Sequence, residues 1–79
     1  MADMYVLVVC DLGRTEAIAS ELQDIDEVDE VHMLYGVYDI IVKMSGTIPK
    51  EMEYLTSKIR HINGIKTTST LIGYTKDGF

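Results

Sequence analysis

Leu34-Tyr35-Gly36-Val37-Tyr38-Asp39-Ile40-Ile41-Val42 is the stretch whose reading decides the fold. A strand end runs into a Gly-led turn, and an apolar strand opened by a carboxylate follows. Gly36 before a variable residue fits a type II′ hairpin turn, where glycine supplies the positive φ that other residues resist. Asp39 stands where a strand prefers valine or isoleucine. A charge placed against local propensity marks a candidate functional residue, because local rules break where function demands it.

The segments on either side of this hairpin echo each other. Leu22, Ile25 and Val28 recur 37 positions later as Ile59, Ile62 and Ile65, and Tyr5 and Gly13 recur 33 positions later as Tyr38 and Gly46. The difference of four is about one helical turn, so two strand–helix–strand units are expected, the second with the longer helix. The first unit opens with the apolar run 4–10, broken by Asp11-Leu12-Gly13. A helix over about 14–24 then sets Ile18, Leu22 and Ile25 on one face. Residues 24–27 connect to a second strand at 28–34, and the third strand covers 38–44. Ser45-Gly46-Thr47 is a breaker. Pro49 sits near the first helical position, where its fixed φ costs little. The second helix reaches about residue 62, with Met52, Leu55, Ile59 and Ile62 inward. Asn63-Gly64 supplies a left-handed stop, 67–74 is the fourth strand, and 76–79 form a short tail.

The order βαββαβ with right-handed crossovers gives one α+β domain over residues 1–79, a ferredoxin-like sandwich with both helices on one face of an antiparallel sheet. A sheet with one wet face should alternate apolar and polar residues. Neither Tyr5-Val6-Leu7-Val8-Val9-Cys10 nor Ile40-Ile41-Val42 alternates. Four strands of seven residues outline roughly 440 Å² of apolar sheet, more than is commonly left in water. A second copy is expected to cover it by sheet-to-sheet pairing, giving a dimeric α+β barrel.

Size agrees with a need for reinforcement. An 8.9 kDa chain of 79 residues buries only about 60% of its unfolded surface. Cys10 is the single cysteine, so no disulfide forms within the chain. It lies in the apolar run Val8-Val9-Cys10 and reads as a small buried hydrophobe; a lone thiol also points to a reducing compartment. The N-terminus carries no basic region of a targeting signal, and no stretch approaches a membrane span. A cytoplasmic protein without membrane contact is expected. The net charge of −6 argues against direct nucleic-acid binding, which rests on Lys and Arg neutralising phosphates. The charge is uneven: residues 1–39 set Arg14 against ten acids, for −9, and residues 40–79 carry +3. The acidic cluster at 24–30 reads as a solvated turn or as a contact for the basic half of another copy.

Catalytic and metal chemistry find little support. Cys10, His32 and His61 lack ligand spacing, no Ser–His–acid or Cys–His system emerges, and the phosphate loops are absent. No cofactor is implied. The features left are Gly36 in the turn, Tyr35 and Tyr38 beside it, Asp39 after it, and the hydroxyl-rich run Thr67-Thr68-Ser69-Thr70. A carboxylate suits an ammonium group, and N–H groups with hydroxyls suit a carboxylate; together they suit a zwitterion. Equally, Asp39 can serve turn amides, and threonines suit any strand.

The string Gly36-Val37-Tyr38-Asp39 followed by Ile40-Ile41-Val42 resembles the G-x-Y-D turn of the Lrp/AsnC ligand-binding domain. The run 5–9 with Gly13 is similar to its first strand and loop, Ile62-Asn63-Gly64-Ile65 to its stop before strand four, and Thr68-Ser69-Thr70-Leu71 to its last strand. The resemblance covers about residues 4–75. It implies a non-enzymatic, ferredoxin-like regulatory module that dimerises through its sheets, assembles into rings such as octamers, and binds an amino acid where dimers meet. Tyr35, Gly36, Val37 and Tyr38 would wall the pocket, Asp39 would take the ammonium, and Thr68 and Thr70 would line it. No DNA-reading head is evident before the first strand, so a stand-alone form acting in transcription regulation or metabolic sensing, alone or together with full-length regulators, is expected. The alternatives are a pure assembly module and a small dimeric α+β barrel enzyme using Asp39 or His32.

Overall fold

The apolar run at the start of the chain becomes β1 (Ala2–Cys10). Its alternate residues Met4, Val6, Val8 and Cys10 are buried, while Tyr5, Leu7 and Val9 on the other face are half-buried. α1 (Thr15–Gln23), β2 (Glu30–Met33), β3 (Ile40–Ser45), α2 (Pro49–Arg60) and β4 (Ile65–Tyr74) follow. This computed structural model describes residues 2–46 and 49–74. Thr47 of the expected breaker and the tail at 76–79 lie outside the described residues.

The strand order β2-β3-β1-β4, with antiparallel neighbours throughout, is the ferredoxin-like topology. The core lies between sheet and helices. Ile18 and Leu22 of α1, and Leu55 and Ile59 of α2, are fully buried against Met4, Val6, Val8, Ile40, Val42 and Met44. Pro49 opens α2, and Lys58 and Arg60 end it beside the negative helix terminus. The 37-residue echo is structural: Leu22, Ile25 and Ile59 are core residues, and Val28, Ile62 and Ile65 are partly buried against that core. Gly13 (φ 83°) and Gly46 (φ 66°) turn the chain left-handed before each helix. The Tyr5–Tyr38 match is not structural, because Tyr5 lies within β1 and Tyr38 precedes β3.

Gly64 has φ 99°, and a Cβ there would lie 3.1 Å from Arg14 Nε and 3.2 Å from Ile18 Cδ1. Glycine thus meets both a backbone and a space requirement. Its carbonyl accepts from Asp11 N–H at 2.8 Å, tying the end of β1 to the entry of β4.

Three expectations need correction. The connection between β2 and β3 is six residues long (34–39) rather than a two-residue II′ turn. Gly36 does take a positive φ, of 134°. Leu34 N–H donates to the Asp39 carbonyl across its base at 2.8 Å. β3 starts at Ile40, because the Asp39 side chain turns to the end of β1. β2 is also shorter than expected, yet Asp29 stays tied to β3: its N–H donates to the Lys43 carbonyl at 2.9 Å and its carboxylate accepts from Ser45 N–H at 2.6 Å.

The third correction is the dimeric α+β barrel. The sheet is open and not closed into a barrel, with β2 and β4 as its edges. The four-residue β2, carrying Glu30 and His32, makes a short, charged edge. The face away from the helices is also more mixed than expected. The register places Tyr5, Leu7, Ile41 and Leu71 there beside Glu30, His32, Lys43 and Ser69.

On that polar margin Glu30 meets His32 Nε2 at 3.0 Å and Lys43 Nζ at 3.6 Å. The hydrogen bond from His32, then the Lys43 charge, hold the Glu30 carboxyl below its ordinary value. The Ser45 hydroxyl, then its N–H, do the same for Asp29. Folded-state values below the unfolded ones give stability that is present near neutrality and lost as pH falls through the folded values. Thermal melts are therefore expected to weaken below about pH 4, and the double variant Asp29→Asn, Glu30→Gln should show a shallower acid loss.

Candidate functional site

At the end of the sheet where β1 stops and β3 starts, the loops 11–14 and 34–39 bound a depression of about 540 Å³. It is lined by Leu12, Thr15, Glu16, Met33, Leu34, Tyr35 and Asp39. Asp39 is its best-held polar group. One carboxylate oxygen accepts from Cys10 N–H at 2.9 Å, while Asp39 N–H donates to the Val8 carbonyl at 2.8 Å. Cys10 is buried, as expected, with Sγ 3.6 Å from Thr15 Oγ1. Thr15 and Glu16 open α1, whose start no side chain caps, so first-turn N–H groups remain there to be satisfied. Arg14, the nearest base in sequence, turns away and donates to the Asn63 carbonyl at 3.1 Å.

Tyr35 and Asp39 are thus brought together. Gly36 and Val37 are exposed on the same loop, and Tyr38 is half-buried beside Asp39, but none of the three lines the depression. Thr68 and Thr70 lie elsewhere. They point to the helix side of β4, across β1 from Asp39, where the Thr68 hydroxyl accepts from Arg60 Nε at 3.3 Å. Thr68 borders a second depression with Arg60 and Lys66, and Thr70 a third with Met52 and Ser57. Within one chain these threonines do not join the Asp39 site.

Sequence reasoning missed Leu12, Thr15, Glu16, Met33 and Leu34. A signal existed for Leu12, an apolar residue inside the breaker Asp11-Leu12-Gly13. Leu12 and Tyr35 are as exposed as in an open chain (102% and 107%), and Met33 and Val37 are exposed too, so large apolar side chains cluster at this end of the sheet. His61 has a local role: its Nδ1 lies 2.6 Å from the Ser57 carbonyl, one turn back at the end of α2. Among the described residues no cluster of His, Cys, Asp and Glu could hold a metal ion. No helix there is long and apolar enough to cross a membrane.

The Lrp/AsnC ligand binding domain model matches residues 3–74, nearly the whole described chain. The chain belongs to the Lrp/AsnC ligand-binding domain family. PHS023 from Pyrococcus horikoshii, a hypothetical protein with a crystal structure, is 32% identical, with a TM-score of 0.82 over 96% of this chain and 93% of that one. TTHA0845 from Thermus thermophilus superposes with a TM-score of 0.89 over the whole of both chains; at 21% identity it shares the fold. The HTH-type transcriptional regulator FL11 of Pyrococcus furiosus is 28% identical over 68 residues, 86% of this chain and 45% of the regulator. The chain therefore spans under half of that curated relative.

This Lrp/AsnC-type domain is a small-molecule effector-binding regulatory module and is not itself a DNA-binding domain. The family is a non-catalytic ligand-binding domain whose members oligomerise. The enzyme alternative is set aside on that ground.

Proposed function

We infer that the depression beside Asp39 receives an amino-acid effector, and that effector binding adjusts how copies of the chain assemble. One observation carries the reading. Asp39 is fixed by one carboxylate oxygen at the rim of an open, partly apolar depression, so the other oxygen is available to an ammonium group with no reorganisation. The uncapped first turn of α1 complements the effector carboxylate. The exposed Leu12, Met33, Tyr35 and Val37 would be covered by a neighbouring copy, completing the pocket with the loop backbone at Gly36 and Val37. Tyr38 supports the loop, and Thr68 and Thr70 would contribute only if brought in from such a neighbour. On this reading the protein forms homodimers and higher rings, such as octamers. It works in the cytoplasm in transcription regulation or metabolic sensing, alone or co-assembled with full-length regulators of its family.

The test is a thermal-shift panel of the twenty amino acids run beside light scattering. An effector at 100 times its Kd is expected to add about 2.7 kcal/mol and to change the oligomer distribution. A panel without a shift overturns the effector reading and leaves assembly alone.

A further inference from the structure

All seven residues lining the Asp39 depression come from the half of the chain that carries −9, and no Lys or Arg is among them. Two carboxylates line it, Asp39 and Glu16. If the proposed reading holds, Asp39 serves the effector's ammonium and the start of α1 its carboxylate. Glu16 is then surplus negative charge. It makes no ion pair or side-chain hydrogen bond with any described residue, and Arg14, two positions before it, is held by Asn63. The rest of the lining is Leu12, Met33, Leu34 and Tyr35, with the Thr15 hydroxyl. An aliphatic stem suits these walls, and the Tyr35 ring offers a face to a cation. We propose, resting on the effector reading above, that this site selects a ligand whose aliphatic side chain ends in a positive charge, with Glu16 as the residue that sets the preference.

The long-range field acts in the same direction: a cleft lined by one sign of charge concentrates ligands of the other and repels its own. Glu16 also stands in the first turn of α1, where a carboxylate favours the helix start. Glu16→Gln costs little there and keeps the shape of the side chain, so the variant remains foldable.

Three ligands of one carbon skeleton isolate the charge. L-lysine, L-norleucine and L-2-aminoadipate share the α-amino acid group and chain length, and end in an ammonium, a methyl and a carboxylate. Calorimetric titration of the full chain with each is expected to rank lysine above norleucine by about two- to fivefold, the scale of one solvent-accessible ion pair, and to place aminoadipate last. Raising the salt should shrink the lysine advantage and leave norleucine unchanged. In Glu16→Gln the lysine-to-norleucine ratio should fall to near one. Equal binding of all three, or a lysine preference that survives Glu16→Gln, overturns this inference and leaves the effector site standing. Failure of all three to bind, together with a silent amino-acid panel, removes both.

Discussion

Asp39→Ala is expected to lose the effector response and, separately, to destabilise the fold by about 1–3 kcal/mol. The second loss follows from the hydrogen bond to Cys10 N–H. Alanine leaves that part-buried donor at the end of β1 without its acceptor, and the connection 34–39 loses its side-chain anchor. Alanine alone therefore cannot separate a binding role from a structural one. Asparagine can. Its amide oxygen still accepts from Cys10 N–H, while the negative charge that would hold an ammonium is gone. Asp39→Asn should melt within about 1 kcal/mol of the parent, the usual worth of one net hydrogen bond, and show no thermal shift with the effector. If Asp39→Asn responds like the parent, Asp39 is a structural anchor and the ammonium site lies elsewhere. Chemical denaturation and ligand melts on the three proteins give the answer.

Leu22→Ala and Ile59→Ala are expected to cost about 2–5 kcal/mol each, the largest stability effects of any single change discussed. Both side chains are fully buried, one from each helix, at positions 37 apart. Neither helix can slide to fill the gap freely: the Asp11–Gly64 hydrogen bond holds the ends of β1 and β4 together, and Gly64 packs against Arg14 and Ile18. A domain of this size has only several kcal/mol to lose, so either variant should be largely unfolded or sharply less stable in urea. If the two costs differ by far more than the scatter of such substitutions, the two halves do not share the core equally and the internal repeat has no energetic meaning.

The helices were legible because their signals are local. Ile18 and Leu22, and Leu55 and Ile59, stand four apart and face the core together. Pro49 marks the start of α2, and Gly64 marks the stop before β4, through rules that need only neighbouring residues. The fate of Asp39 was not local. Its partner, Cys10, is 29 positions away, and nothing in the string Gly-Val-Tyr-Asp says that the carboxylate will cap another strand. The same distance problem hid the site lining. Glu16 reads as an ordinary helix residue and Met33 as a strand residue until the topology sets the ends of β1 and β2 at one edge of the depression. Thr68 and Thr70 stand apart from Asp39 within the chain for the opposite reason. Their composition invited a ligand, but strand alternation places both toward α2, where Arg60 takes the Thr68 hydroxyl. The barrel expectation extrapolated from apolar strands and overlooked that Glu30, His32 and Lys43 share the face with them.

The ring of Tyr5 lies over Gly73 on β4, close enough that a methyl group at position 73 would sit 2.9 Å from Tyr5 Cε2. The two positions therefore cannot drift independently. Any side chain introduced at 73 obliges the half-buried Tyr5 ring to swing aside, so a change on one edge strand is answered first by a rotamer on its neighbour and not by the backbone of the sheet.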